Sequence, residues 1–173
     1  MKNPFIVGKK VYLRPVELED STLFVKWYSN PDVRYSFFIG FPTNAKRQRE
    51  FFENAYKDKE FIFFVIMSQE SHQPVGFTGF YRIDWIGRAA TYGIIIGDPA
   101  EWGKGYGSEV TQLMAKYGFQ TLGFNRIQLH VWKGNNRGLK AYQRAGYQKE
   151  GLLRQAMFHE GKYEDFYIMS ILK

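Results

Sequence analysis

The sequence contains no cysteine in 173 residues, which excludes disulfides, thiolate zinc sites and cysteine nucleophiles. It also contains no long apolar run: the longest, 61–67, is far shorter than the roughly 20 residues that cross a bilayer as a helix. Residues 1–8 lack the apolar core and the small-residue cleavage site of a signal peptide. We therefore expect a cytoplasmic protein without a membrane partner.

No linker rich in proline, glycine or serine divides the chain, and there is no internal repeat or low-complexity stretch. A hydrophobic content of 45%, with 18% aromatic residues, excludes disorder. A chain of this length buries about 70% of its unfolded surface and needs no disulfide or metal to stabilise its core. We therefore predict a single domain over residues 1–173.

Negative charge is in deficit, with 17 Asp and Glu against 24 Lys and Arg, a net charge of +7 and a pI near 9.5. This imbalance favours an acidic partner, either nucleic acid or a phosphorylated small molecule. The basic residues are scattered and form no standard nucleic-acid-binding motif, so a basic nucleic-acid-binding module is the weaker alternative.

Hydrophobic periodicity predicts the element order β-α-α-β-β-β-α-β-α-β-β, a mixed α/β fold without regular alternation of strands and helices. Thr43 or Asn44 is expected to cap the second helix, whose predicted buried face comprises Phe51, Phe52, Ala55 and Tyr56. Strands are predicted at 10–14, 60–67, 74–83, 89–97 and 126–132, with two more within 152–172. Helices are predicted at 18–28, from 43 or 44, after the glycine-rich stretch 102–108, and at 135–145.

Three glycines in five positions, Gly103, Gly105 and Gly107, follow an apolar strand and open a helix. Glycine lets the backbone approach a ligand closely, and the free N–H groups in the first turn of a helix attract phosphate oxygens. Lys104 adds a cation to this loop. The spacing matches neither the P-loop nor the dinucleotide-binding fingerprint. A phosphate-binding loop and a tight connection without a ligand both remain open.

Asn135 and Tyr142 form a second pattern, on the last predicted helix. Asn135 is a good N-cap, and Tyr142 lies two helical turns further on, hence on the same face. The pair could line a cleft beside the end of the preceding strand. Alternatively, Tyr142 packs in the core with Leu139 and Ala145.

Together these two segments resemble the GNAT superfamily of acetyl-CoA-dependent N-acetyltransferases. The resemblance is to the RimJ/RimL-like branch, which includes ribosomal-protein-alanine and spermidine N-acetyltransferases. The family's pyrophosphate signature, Gln/Arg-x-x-Gly-x-Gly/Ala, corresponds to Trp102, Gly105 and Gly107. Its later signature, an asparagine followed seven positions on by tyrosine and then by a Gly-Phe/Tyr pair, corresponds to Asn135 and Tyr142 with the Gly-Tyr pair behind them.

The resemblance covers roughly residues 88–169 and implies a central, mostly antiparallel twisted sheet of about seven strands. About four helices would flank this sheet, which would be splayed at its centre to hold acetyl-CoA. It implies no metal, and we expect a monomer or homodimer. Arg137 and Lys140 are candidates to meet the phosphates, or alternatively form a solvated helix face. The residues implied to contact the cofactor are Ile95, Ile96, Gly97, Trp102, Gly103, Lys104, Gly105, Tyr106, Gly107, Ser108, Asn135, Arg137 and Arg144.

By the same resemblance Tyr142 is the catalytic residue, a general acid that protonates the departing thiolate of coenzyme A. A phenol with a pKa near 10 keeps its proton at neutral pH, whereas a thiol has a pKa near 8.5. The implied activity is transfer of an acetyl group directly to a primary amine: a protein N-terminus, an amino sugar or another small amine. A protein that binds acyl-CoA without catalysis is the alternative.

The sequence departs from the family at two positions. Trp102 replaces the usual Gln or Arg, which matters little if the cradle is mainly backbone. Thr91 replaces a glutamate that relatives carry as a candidate base, and threonine cannot serve as that base. Glu101, Asp84 and His130 are the candidates to substitute for it, although a histidine in a strand is usually structural.

Without that base, an α-amine with a pKa near 8 fits better than a more basic amine, because about a tenth of it is neutral at pH 7. The segment 35–41 carries no carboxylate, unlike spermidine relatives. A protein N-terminus or an amine on an anionic nucleotide-sugar therefore fits better than a polycation. The aromatic residues expected on the acceptor side, unless they pack in the core, are Phe37, Phe38, Phe41, Tyr81 and Trp85.

Overall fold

The computed structural model describes residues 3–173, and these form one eight-stranded sheet with five α-helices. No helix within this range is long and apolar enough to span a membrane. The strands are β1 (Ile6–Val7), β2 (Val11–Pro15), β3 (Ile62–Ser68), β4 (Pro74–Asp84), β5 (Ala89–Ile96), β6 (Arg126–Trp132), β7 (Gln148–His159) and β8 (Lys162–Leu172). The helices are α1 (Ser21–Ser29), α2 (Pro31–Ser36), α3 (Ala45–Lys57), α4 (Tyr106–Gln120) and α5 (Asn136–Arg144).

The sheet has the order β1-β2-β3-β4-β5-β6-β8-β7, and all neighbours are antiparallel except β5 and β6. That parallel pair is short, running only from Ala89 opposite Arg126 to Thr91 opposite Gln128. Beyond this point the two strands continue without pairing to each other, so the sheet opens into a wedge. The predicted fold, a mostly antiparallel α/β sheet splayed at its centre, is confirmed.

Strand alternation divides the core between the two faces of the sheet. On β2, Val11 and Leu13 face a large cluster that includes residues of α4 and α5, such as Met114. Tyr12, between them, faces the opposite side and packs with Phe24 of α1 and with α3. The helices α4 and α5 therefore cover the face on which the wedge opens.

Two elements were not predicted from the sequence. Strand β1 has two residues, too few to show alternation. Helix α2 follows the Asn30-Pro31 pair, just beyond the helix predicted at 18–28. Asn30 is in fact also the N-cap of α2, because its side-chain oxygen accepts the N–H groups of Asp32 and Val33 at 2.9 and 3.3 Å, with Pro31 in the first turn.

The predicted buried face of α3 was wrong in part. Asn44 is the N-cap, and Phe52 is buried as expected. However, Phe51 and Tyr56 are 43% and 60% exposed, and the other buried side chain is Gln48. Residues 48 and 52 lie one helical turn apart, so the face that packs on α1 is a single narrow stripe.

Candidate active site

A cavity of about 470 Å³ lies in the wedge between β5 and β6. Its walls come from these two strands, from the glycine-rich loop and the start of α4, from α5, and from Ser36 and Phe37 at the end of α2. Helix α2, which was not predicted from the sequence, places Ser36 and Phe37 at the cavity. The location between diverging strands is typical of a ligand site in an open sheet.

The glycine-rich loop ends in the N-terminus of α4. Gly105 is its N-cap and has φ +89°, a left-handed conformation that favours glycine, as does Gly103 at φ +84°. The helix has no side-chain cap, and the first backbone bond back to Gly105 comes from Glu109 at 3.2 Å. The N–H groups of Tyr106, Gly107 and Ser108 therefore have no intrahelical partner, and all three residues line the cavity.

Gly107 has no conformational or packing reason to be glycine within the described chain. A Cβ built on Gly107 has no atom within 4 Å, and the residue lines the cavity. The space that a side chain would fill is cavity space. An absent Cβ at this place is consistent with close approach of a ligand to the first turn of α4.

Trp102 links the two sides of the cavity mouth. Its indole Nε1 donates a hydrogen bond to the carbonyl oxygen of Ile96 at 2.8 Å. The guanidinium Cζ of Arg137, on α5, lies 4.6 Å from the centroid of the Trp102 ring. This cation–π contact holds Arg137 against the loop. Arg137, Lys140 and Arg144 all line the cavity, so α5 contributes three cations to it.

Only alternate residues of β5 face the cavity. Ile94 and Ile96 line it, whereas Ile95 and Gly97, both expected to contact a ligand, do not. The N–H of Gly97 donates instead to the carbonyl of Val75 at 2.9 Å, on the β4 side. The carbonyl oxygen of Ile96, on the cavity side of β5, accepts the indole N–H of Trp102.

Gly97 is glycine because of packing. A Cβ at this position would overlap the ring of Trp27 in α1. Gly97→Ala is therefore expected to lower the free energy of unfolding by about 1–3 kcal/mol, the usual cost of overpacking. Denaturant unfolding measures this, with Gly40→Ala as the control, because a Cβ at Gly40 has no atom within 4 Å. An unfolding free energy equal to that of the control would contradict this account of Gly97.

Lys104 does not line the cavity, although its cation was expected to act there. Its Nζ lies 2.8 Å from Oε1 of Glu101, three residues earlier, and this bond raises the pKa of Lys104. The same ion pair occupies Glu101, the one carboxylate that lines the cavity among residues 3–173. Lys104 and Glu101 thus neutralise each other at the edge of the loop.

The other substitutes for the missing base lie elsewhere. Asp84 accepts the N–H groups of Ile86 and Gly87 at 3.0 and 2.8 Å, in the turn before β5. His130 is on β6 but does not line the cavity, and partial burial with the nearby charge of Arg82 lowers its pKa. Among residues 3–173 no cluster of three or more metal-binding side chains occurs.

Asn135 and Tyr142 both line the cavity from α5. Asn135 is the N-cap of this helix, and its side-chain oxygen accepts the N–H of Gly138 at 2.9 Å. The Tyr142 ring meets Tyr92 edge-on, with centroids 6.4 Å apart, and Tyr147 at 6.1 Å. No hydrogen bond occupies its hydroxyl within the described part of the chain. Burial raises the pKa of Tyr142, and the neighbouring phenol of Tyr92 raises it further.

A chain of hydroxyls connects the central strand to the start of α4. Thr111 donates to the carbonyl oxygen of Gly107 at 2.7 Å, and the hydroxyls of Tyr92 and Thr111 lie 3.1 Å apart. Because the only hydroxyl proton of Thr111 is already used, Tyr92 is the donor in the second bond. Thr111 lines the cavity and was not predicted from the sequence.

The aromatic residues expected on the acceptor side separate into different places. Phe37 lines the cavity, and Phe38 packs beside it against Trp132, with ring centroids 5.5 Å apart. Trp132 also lines the cavity. Phe41 is 80% exposed, and Trp85 donates to the carbonyl of Lys59. Of the five aromatic residues, only Phe37 lines the cavity.

The chain is similar in sequence to known acetyltransferases. The family described as the acetyltransferase (GNAT) domain matches residues 10–148. The uncharacterized N-acetyltransferase p20 of Bacillus licheniformis is 32% identical over 168 residues, covering 95% of this chain and 94% of that protein. A spermidine N(1)-acetyltransferase of Vibrio cholerae serotype O1 is 32% identical over 99 residues, 57% of either chain.

The fold is similar to that of solved acetyltransferases. The crystal structure of spermidine N-acetyltransferase from Vibrio cholerae, in complex with CoA and spermine, superposes with a TM-score of 0.88 at 25% identity. The match covers 95% of this chain and 96% of that one.

Proposed function

This chain belongs to the GNAT acetyltransferase family, and from that premise we propose that it transfers an acetyl group from acetyl-CoA directly to a primary amine, with Tyr142 as the general acid. GNAT acetyltransferases use acetyl-CoA, and the chain is an acyltransferase. We also propose that residues 1–173 form one such domain. One observation carries the Tyr142 assignment: its hydroxyl, which has no hydrogen-bond partner among residues 3–173, lies in the cavity that the uncapped N-terminus of α4 also lines.

The residues present fit coenzyme A. The pyrophosphate needs hydrogen-bond donors and room, and the N–H groups of Tyr106, Gly107 and Ser108 with the missing Cβ of Gly107 offer both. Arg137 and Arg144 add positive charge from α5. Acetyl-CoA, when bound, supplies the acetyl group as a thioester.

Several cofactor assignments follow from this fit. We propose that Trp102, Gly103, Gly105 and Asn135 shape the site, and that Ile96 offers its N–H on the strand edge. On β5 we assign the cofactor contact to Ile94 and not to Ile95 or Gly97, because Ile94 faces the cavity. Lys104 belongs to the loop that shapes the site, but its ammonium is bound to Glu101 and is not assigned to the phosphates.

Tyr142 supplies the one proton that the leaving group requires. It gives this proton to sulfur as the carbon–sulfur bond breaks, and it is reprotonated from solvent. The attacking amine forms the new bond to the acetyl carbon and loses one proton to solvent. Because Glu101 is bound to Lys104, we propose an acceptor that is neutral to a useful extent near pH 7, such as an α-amine.

An acceptor panel tests the proposed activity. Release of free thiol is measured with acetyl-CoA and three amines: a peptide with a free N-terminus, an amino sugar and spermidine. We expect the peptide or the amino sugar to be preferred, because Glu101, the one carboxylate that lines the cavity among residues 3–173, is already paired with Lys104. Preference for spermidine would refute the acceptor class, and CoA binding without transfer to any amine would refute the activity.

The pH dependence tests the state of Tyr142. Burial raises its pKa above the ordinary value of about 10, so its proton is present below that raised pKa and is lost only above it. We therefore expect kcat to show no descending limb up to pH 10. Activity is measured from pH 6 to 10, with circular dichroism to establish that the fold persists. A descending limb below pH 10 would contradict the proposed protonation of Tyr142.

A further inference from the structure

The turn between β1 and β2 packs against the glycine-rich loop, although about a hundred residues separate them in sequence. The Lys10 ammonium donates a hydrogen bond to the carbonyl oxygen of Lys104 at 2.9 Å. The backbone N–H groups of Lys9 and Lys10 donate to the carboxylate of Glu109, in the first turn of α4. Two separate contacts thus fix this turn to the loop and to the helix that follows it.

The Lys10 contact determines which way one peptide of the loop faces. In a planar trans peptide, the carbonyl of one residue and the N–H of the next point in opposite directions, and the described chain has no cis peptide. Lys10 holds the Lys104 carbonyl on its own side, and Lys104 does not line the cavity. Gly105, the next residue, does line it. We infer that Lys10 is a positioning residue that keeps the N–H of Gly105 directed at the bound pyrophosphate.

This peptide needs such a restraint because glycines surround it. Gly103 and Gly105 both have positive φ, and a Cβ at Gly103 would have no atom within 4 Å. Glycine has low barriers between backbone conformations, so the peptide between Lys104 and Gly105 can turn over at little cost. A reversed peptide would direct the Lys104 carbonyl oxygen at the phosphates and repel them. A charge-assisted bond from Lys10 favours the orientation that binds.

The turn that carries Lys10 is itself held from its other side. The side-chain amide of Gln69 donates to the carbonyl of Gly8 at 2.6 Å, and the N–H of Gln69 donates to the carbonyl of Lys10 at 2.8 Å. A Cβ at Gly8 would overlap the Glu109 carboxylate, so the turn lies directly against α4. The backbone of Lys10 is therefore placed before any ligand binds, which is the condition for preorganisation.

Lys9 offers a matched control for the test. Lys9→Met and Lys10→Met remove the same charge from adjacent positions, yet the Lys9 side chain makes no hydrogen bond or ion pair with residues 3–173. Titration calorimetry measures the Kd for CoA and for pantetheine, which lacks the pyrophosphate. We expect Lys10→Met to raise the Kd for CoA about tenfold, and Lys9→Met less than about twofold. Neither should change the Kd for pantetheine, and Lys10→Arg, which keeps a donor, should bind CoA nearly as the wild type does.

The inference rests on the proposed function, and the outcomes separate the two. If the wild type binds CoA but Lys10→Met binds it as well as Lys9→Met does, Lys10 has no positioning role and the proposed function stands. Equal weakening of CoA and pantetheine in Lys10→Met would indicate general distortion and also overturn the inference. Failure of the wild type to bind CoA would overturn both. Equal thermal unfolding midpoints for the two variants are expected, because the contact acts on the loop and not on the core.

Discussion

Tyr142→Phe is expected to lower kcat about a hundredfold or more, with the Kd for CoA changed less than about twofold. Phenylalanine keeps the ring contacts to Tyr92 and Tyr147 and loses only the hydroxyl. Because no described residue hydrogen-bonds to that hydroxyl, its removal breaks no contact in the fold. Single-turnover or steady-state thiol release gives kcat, and calorimetry gives the Kd.

Tyr147→Phe is the matched control. The Tyr147 hydroxyl is buried without a hydrogen-bond partner in the described chain, and its ring belongs to the same aromatic cluster. Its removal leaves no partner unsatisfied, so kcat should stay unchanged and stability should be equal or higher. Equal losses of kcat in the two variants would assign the effect to packing, and an active Tyr142→Phe would remove the general-acid role.

Gly107→Val is expected to weaken CoA binding about a hundredfold. The added methyl groups would overlap the bound ligand, and such overpacking costs about 1–3 kcal/mol. A Cβ at Gly107 meets no protein atom, so the added methyl groups enter the cavity. Gly107→Ala is a more discriminating test, because its effects on stability and on CoA affinity are expected to have opposite signs. Alanine should stabilise α4 by roughly 0.5–1 kcal/mol, as it does inside helices, while weakening CoA binding about tenfold.

Calorimetry with CoA and denaturant unfolding of the same samples measure the two effects of the Gly107 variants. Gly40→Val controls for a bulky residue in open space, because a Cβ at Gly40 has no atom within 4 Å and Gly40 does not line the cavity. Retention of wild-type CoA affinity by Gly107→Val would show that the ligand does not approach the first turn of α4.

Local signals were sufficient for much of the fold and for α5. The spacing of Asn135 and Tyr142 is a property of one helix, and both side chains line the same cavity. The glycine-rich loop likewise precedes a helix whose N–H groups are free. In each case, residues near one another in sequence determine the geometry, and no knowledge of the tertiary structure is needed.

The orientation of β5 could not be predicted in the same way. Ile94, Ile95 and Ile96 are three identical residues, so their sequence does not show which of them faces the cavity. The pairing of β4 with β5 sets this orientation, and it places Gly97 against Trp27. Long-range contacts also determine the role of Lys10, whose partner on the loop is Lys104.

The ion pair between Lys104 and Glu101 is another feature that could not be predicted from the sequence. The sequence alone suggests Lys104 as a cation for phosphates and Glu101 as a candidate base. Their spacing of three residues is compatible with an ion pair, but only the structure shows that both charges are used in it. The cation expected at the loop is therefore balanced by a carboxylate, and the cations that line the cavity are those of α5.

The short parallel join of β5 and β6 has a consequence for aggregation. Past Thr91 and Gln128 each strand has an open edge, and open edges of sheets attract the strands of other chains. Here the two edges face each other within the same sheet, where α4, α5 and Trp102 border the space between them. The protein thus carries unpaired strand edges at its centre without presenting them to its neighbours. Under the proposed function, the gap can accept an extended ligand that bears its own amide groups. Such a ligand would lie between β5 and β6, where a further strand of the sheet would otherwise lie.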